Sequence, residues 1–146
     1  MTTVSTYLNF AGRAEEAFGV YASLMDGRIS SITRFSDAPF SPELPESERS
    51  LIMNIQMTIF GSYVLMATDL VESLGQVVRI GNNTTLNLEL DSSDLVDRIY
   101  AGLVFEGTEF QAPAPAPWGA YWGVVLDRFG IRWMLSHSIA PMGSES

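Results

Sequence analysis

Apolar and polar residues alternate with a period of two from Val4 to Phe10, with Leu8 and Phe10 on one side and Ser5, Tyr7 and Asn9 on the other, which predicts a strand. From Arg13 to Met25 the period becomes helical: Ala14, Ala17, Phe18, Tyr21 and Leu24 share one face, and Glu15 and Glu16 sit favourably in the first turn. Asp26-Gly27 stops this helix, and Arg28 to Phe35 reads as a second strand. Ser36 to Arg49 carries three prolines and four acids, the composition of an exposed connecting loop or a lid. Leu51 to Ile59 and Ser62 to Thr68 then read as a hairpin about Phe60-Gly61.

After a short linker through Leu74-Gly75, Thr84 to Leu90 alternates again, with Leu86, Leu88 and Leu90 inward and Thr85, Asn87 and Glu89 on the opposite side. Asp91-Ser92-Ser93 supplies capping residues for a helix from about Asp94 to Phe105, whose stripe is Leu95, Ile99 and Leu103. Glu106-Gly107 ends it. Thr108 to Gln111 reads as a short strand, and Ala112 to Pro117 as a stiff extended connector.

The last element, Gly119 to Ser136, is a hairpin through Asp127-Arg128-Phe129-Gly130, with Asp suited to the first place of a type I turn and Gly to the last. Pairing Leu126 with Ile131 places Trp122, Val124, Trp133 and Leu135 on an apolar, helix-facing side. Tyr121, Gly123, Val125, Arg132, Met134 and Ser136 fall on the other, more polar side.

The order strand, helix, strand, strand, strand occurs twice, and Phe60-Gly61 recurs as Phe129-Gly130 69 residues on. An internal duplication of a βαβββ unit follows. The expected fold is α+β: two such modules giving a curved, mainly antiparallel eight-stranded sheet around a cavity, with a helix outside each half. Residues 1–146 form one domain in this reading, with modules at about 1–70 and 76–137 and a flexible tail at 138–146. The offset of 69 sends Tyr63 and Leu65 to the places of Arg132 and Met134, and Asn54 and Gln56 to the same side.

Composition narrows the function. The formal charge is −9, from 17 acids against eight arginines, and there is no lysine; such a surface repels a phosphate backbone, so nucleic acid is not an expected partner. Lysine chemistry and, with no cysteine, disulfides and thiolate ligands are excluded. The N-terminal residues do not resemble a signal peptide, and no apolar run reaches the roughly 18 residues of a membrane span, so a cytoplasmic protein without a membrane partner is expected.

Four pieces, YLNFAGRAEEAFGVY, FSDAP, GSYVLMATD and WGVVLDRFGIRWMLS, together resemble the vicinal oxygen chelate superfamily of glyoxalases, bleomycin-resistance proteins and extradiol dioxygenases, and within it the PhnB-like branch. The resemblance implies paired βαβββ modules, commonly a homodimer, and in the metal-dependent members a divalent ion held by a His on the first strand and a Glu on the fourth strand of each module. Carried over here, the histidine positions fall on Ser5 or Thr6 and on Thr85. The glutamate positions fall on Leu65, or Met66 with a one-residue bulge, and on Met134. A third-strand His found in some relatives corresponds to Asn54. Hydroxyls, aliphatic carbons and thioethers do not suit zinc, nickel, manganese or iron(II), so neither metal nor cofactor is expected.

The expected cavity lining is Tyr7, Asn9, Asn54, Gln56, Tyr63, Thr85, Asn87, Glu89, Tyr121, Val125, Arg132 and Met134, of which all but Glu89 and Val125 are candidate ligand-binding residues. Glu89 is the one candidate catalytic group, a general base if burial raises its pKa, and Arg132 can clamp a carboxylate or phosphonate oxygen. A structural ion pair between the two is the plainer expectation. Trp122 and Trp133 read as core, Trp118 as a rim or dimer contact, and His137 as an exposed residue beyond the last strand. The leading function is metal-free binding of a small molecule by a homodimer. The alternatives are a lyase or dioxygenase-type enzyme, using an atypical metal site such as Glu89 with Gln56 or metal-free acid/base chemistry at Glu89, and a dimeric scaffold with no small-molecule role.

Overall fold

The computed structural model of the chain describes residues 1–139. The chain divides into two compact units, Met1–Arg79 and Ile80–Ser146. Each contains one helix of three turns and one four-stranded mixed sheet, so the eight expected strands are all present and are divided between two sheets.

In the first unit, strand β1 (Thr6–Phe10) leads into helix α1 (Ala14–Leu24), followed by β2 (Arg28–Arg34), the one-turn helix α2 (Glu46–Arg49), β3 (Ile52–Ile59) and β4 (Tyr63–Asp69). The spatial order is β1-β4-β3-β2, with β1 parallel to β4 and the other pairs antiparallel. Helix α1 buries Ala14, Ala17, Phe18 and Tyr21, four of the five residues that the helical spacing placed on that stripe. Beneath them lie Leu8, Phe10, Ile55, Met57, Leu65 and Ala67, all buried, so this side of the sheet is a closed apolar layer. The buried carboxylate of Asp69 ties the layers together. Its Oδ1 accepts the backbone N–H groups of Gly12 at 3.1 Å and Ala14 at 2.9 Å, and its Oδ2 accepts that of Ile52 at 2.9 Å. Asp69 thus satisfies an otherwise orphaned donor at the start of α1 and fixes the end of β1 against β3.

The proline-rich segment is less open than its composition suggests. It forms two 3-10 turns and α2, and its Leu44 packs with Phe35 and Val71 in a small satellite core that Phe40, Leu51 and Met53 extend. Apolar burial anchors this loop to the sheet.

The second unit repeats the plan with β5 (Leu86–Glu89), α3 (Ser93–Val104), β6 (Thr108–Ala116), β7 (Ala120–Leu126) and β8 (Arg132–Ser138), in the order β5-β8-β7-β6. Ser92 caps α3 by accepting the N–H of Leu95 at 3.1 Å. The buried stripe of α3 is Val96, Ile99, Tyr100 and Leu103, displaced by one residue from the expected Leu95. Strand β6 runs on through the alanine-proline segment that the sequence presents as a connector, with Ala114, Pro115 and Ala116 opposite Trp122, Tyr121 and Ala120. An edge strand tolerates proline because its outward N–H has no ladder to join.

The hairpin register differs from the expected one, and the turn explains it. Gly130 adopts φ 95°, its N–H bonds the Asp127 carbonyl at 3.0 Å, and Asp127 N–H bonds the Ile131 carbonyl at 2.9 Å. This is a type I turn followed by a left-handed residue, which makes a three-residue loop. Leu126 therefore stands opposite Arg132, Val124 opposite Met134 and Trp122 opposite Ser136. A register change of one residue turns one strand over. Strand β8 faces as expected, with Trp133 and Leu135 fully buried, whereas β7 presents Trp122 and Val124 on the side expected for Tyr121 and Val125.

Unit one shows the same correction. Gln56 stands opposite Met66 and Ile59 opposite Tyr63, so the offset between equivalent residues of the two hairpins is 68 and Met66 matches Met134. Two expectations for the chain's end also change. His137 lies inside β8, half-buried, with its Nδ1–H donating to the Leu90 carbonyl at 2.8 Å. The expected flexible tail loses its first two residues, since Ser138 belongs to β8 and Ile139 N–H bonds the Gly119 carbonyl at 2.9 Å. The remainder, 140–146, lies outside the described residues.

Candidate functional site

The non-helical side of the second sheet carries a groove of about 410 Å³, built by all four of its strands. Thr85 and Asn87 come from β5 and its approach, Arg132 and Met134 from β8, Trp122 and Val124 from β7, and Phe110 and Gln111 from β6. Four of these, Thr85, Asn87, Arg132 and Met134, are expected site residues, brought together because β5 pairs β8 in parallel with Asn87 opposite Met134. The volume lies at the small end of the range of about 300–1,000 Å³ typical of ligand pockets.

Arg132 is the groove's charged group. Its Nε–H donates to Thr85 Oγ1 at 2.9 Å, and its guanidinium carbon stands 4.4 Å from the centre of the Phe110 ring. It does not pair with Glu89. That carboxylate is exposed and accepts from both the backbone N–H and the hydroxyl of Ser138, each at 3.2 Å. The burial on which a base role for Glu89 depends is therefore missing.

Four residues of the groove wall, Phe110, Gln111, Trp122 and Val124, were not among the expected site residues. Trp122 takes the place assigned to Tyr121 once the register is corrected. Trp118, half-exposed, packs edge-on against Trp122 with ring centres 4.9 Å apart. Phe110 has no signal in the sequence beyond an apolar residue in a short strand. Tyr121 faces the helix instead: its hydroxyl donates to Asp97 of α3 at 2.6 Å, a bond to a carboxylate that raises the phenol above its ordinary value of 10.0. Val125 is fully buried on that same side.

In the first sheet, Tyr7, Asn9, Asn54 and Gln56 share the non-helical side with Met66, which stands opposite both Tyr7 and Gln56. Asn54 Nδ2 approaches the Tyr7 hydroxyl at 3.4 Å, and the Ser5 hydroxyl lies 3.8 Å from the Met66 sulfur. Tyr63 departs from this group. It shares the helix side with Leu65 and its hydroxyl meets that of Thr6 at 2.8 Å, because the two left-handed residues Phe60 and Gly61 set its strand one residue over. The positions that the resemblance assigns to metal ligands thus carry a hydroxyl beside a thioether in the first sheet, and Thr85 with Met134 in the second. This donor set does not fit a zinc, nickel, manganese or iron(II) ion. Among the described residues, no three His, Asp or Glu side chains converge, and no helix is long and apolar enough to cross a membrane.

A family model described as 3-demethylubiquinone-9 3-methyltransferase matches residues 2–136. A Pseudomonas aeruginosa protein of solved structure is 27% identical, with a TM-score of 0.82 over 94% of this chain and 98% of that one. The PhnB protein from Bacillus cereus is 22% identical, with a TM-score of 0.77 over 93% of this chain and 99% of that one. A glyoxalase/bleomycin resistance protein/dioxygenase family enzyme from Burkholderia phytofirmans shares the fold at 13% identity, with a TM-score of 0.57 over 91% of this chain and 97% of that one. No curated protein matches the chain.

Proposed function

The chain belongs to the family described as 3-demethylubiquinone-9 3-methyltransferase, the PhnB-like branch of the vicinal oxygen chelate superfamily, and from that membership we propose that it binds a small organic molecule, without a metal ion, in the groove of its second unit. The observation that carries this reading is the groove's lining: a tethered arginine, an aromatic wall and neutral hydrogen-bonding groups in a concave site of ligand size. Few polar groups converging on an apolar pocket is the usual composition of a small-molecule site. The metal positions support the same reading, because thioethers and hydroxyls leave a divalent cation without its charge-bearing ligands.

Enzymatic readings draw less support. Glu89 is exposed and accepts hydrogen bonds from Ser138, so it lacks the burial that a base role calls for. Methyl transfer, which the family description names, calls for a glycine-rich turn after a parallel strand to hold a nucleoside. The β1 to α1 connection has the single glycine Gly12, with its N–H already bonded to Asp69. A cytoplasmic homodimer belongs to the same proposal. The exposed Ile29 and Ile32 on edge strand β2 and the exposed Trp118 are apolar surface suited to a second copy.

Elemental mass spectrometry tests the metal-free part. After exposure to nickel, zinc, manganese and iron(II) and then desalting, far less than one equivalent of each is expected, and stoichiometric retention of any one overturns it. A fragment screen by thermal shift tests the binding part, since a ligand of the native groove raises Tm by mass action. Hits that perturb Trp122 are expected; a screen without them sinks the groove as a site.

A further inference from the structure

Arg132 is held from two sides. Its side chain, rooted on β8, is tied by Nε–H to Thr85 beside β5, while its flat face covers Phe110 on β6, beyond the intervening strand β7. A free arginine loses rotamer entropy when a ligand immobilises it, and a guanidinium already fixed by stacking and a hydrogen bond surrenders less of it on meeting a ligand. Among the described residues, the two Nη groups have no acidic partner. Arg13 pairs with Glu16 and Arg34 with Glu15, both in the first unit. In a chain where 17 acids outnumber eight arginines, a cation fixed in a groove and left without a carboxylate is an anion site waiting for its anion.

We infer that the groove binds a monoanionic carboxylate carried on a flat aromatic body, with Arg132 as the anchor; this rests on the groove being a ligand site. Because Nε is committed to Thr85, the remaining donor pair is the Nη1/Nη2 end of the fork, which matches the two oxygens of one carboxylate. A dianion is a poorer match, since one cation meets two negative charges in a protein of formal charge −9. The body of the ligand is set by the wall opposite, where Trp122, supported by Trp118, adjoins Val124 and Met134. The first unit lacks the anchor. Its residue equivalent to Arg132 is Val64, and the residue equivalent to Trp122 is Asn54.

The indole N–H resonances of Trp122 and Trp133 make the test specific, because Trp133 is buried on the helix side with its N–H bonded to Asp127. The probes are 2-naphthoate, its neutral isostere 2-naphthamide, and 2-naphthyl phosphate. Naphthoate is expected to shift the Trp122 resonance, leave that of Trp133 in place, and bind about tenfold tighter than naphthamide or more, the worth of one charge-assisted pair. R132Q is expected to erase the difference between acid and amide while the Trp133 resonance stays at its wild-type position, which certifies the fold. Equal binding of naphthoate and naphthamide overturns the carboxylate assignment and leaves the groove reading standing. Tighter binding of naphthyl phosphate than naphthoate overturns the monoanion. If no probe moves Trp122, this inference fails, and the groove reading fails with it only if the fragment screen is also empty.

Discussion

Asp127 receives the indole N–H of Trp133 on Oδ2 at 2.9 Å and the backbone N–H groups of Phe129 and Ile131 on Oδ1 at 2.9 Å each, and both side chains are buried. One carboxylate therefore locks the turn whose register decides which side of β7 faces the groove. The local bonds to Phe129 and Ile131 shape the loop, and the bond to Trp133 fastens that loop to the core beneath α3.

Asp127→Asn is expected to destabilise the protein by about 3 kcal/mol, because the amide must turn its NH2 toward either the Trp133 N–H or the two backbone N–H groups. Urea denaturation followed by tryptophan fluorescence measures the loss. A change under about 0.5 kcal/mol, the usual size for a surface site, would show that the carboxylate does not hold the turn.

Tyr100 makes a pH prediction. Burial, then its hydrogen bond to Glu109 at 2.8 Å, raises its pKa well above the ordinary 10.0. A folded value above the unfolded one contributes stability that is complete below pH 10 and is lost as pH rises beyond it. Wild type is expected to lose stability relative to Tyr100→Phe between about pH 10 and about 11, with no change in their difference between about pH 7 and about 9. Parallel urea curves for the two proteins check it, and a constant difference across the whole range refutes it.

Gly123 is the point where the proline-bearing edge strand lies close on β7. A Cβ there would stand 3.0 Å from the Gln111 carbonyl oxygen and 3.3 Å from Pro113. Gly123→Ala forces β6 to shift, at about 1–3 kcal/mol, and carries Gln111 and Phe110 with it. The expected outcome is a lower Tm together with weaker binding in the groove; an unchanged Tm would show that β6 yields freely.

Leu44 decides whether the proline loop is anchored. It is 4% exposed against Phe35 and Val71, and Leu44→Ala is expected to cost about 2–4 kcal/mol. Limited proteolysis should then cut within 36–49 faster than in wild type. Equal cleavage rates would mean that the loop opens independently of this contact.

Local pattern carried much of the fold. Alternation and helical spacing marked the strands and both long helices, and Asp-Gly and Glu-Gly pairs marked the helix ends, where Asp26 and Glu106 adopt positive φ of 49° and 57°. The doubled order of elements exposed the repeat, and four short sequence pieces carried the resemblance to the family. The lining of the groove was half legible: Thr85, Asn87, Arg132 and Met134 were placed on one side because their strands alternate simply. Trp122 and Val124 were assigned to the wrong side, Tyr121 and Tyr63 were placed in a cavity they do not face, and Phe110 and Gln111 were missed.

The division has a physical cause. A strand's period of two and a helix's of 3.6 are properties of the local backbone, so the residues alone determined which segments are strands and helices and which residues of a strand share a side. Which side meets the helix depends on how a tight turn closes, and Gly130 in the left-handed region lets the ladder close one residue from the expected place. The meeting of Arg132 with Phe110 and Thr85 depends on β8 lying between β5 and β7, a parallel pairing across a whole helical crossover and an order that no local rule specifies. Tertiary structure alone set the arginine between its two supports in the wall of the groove.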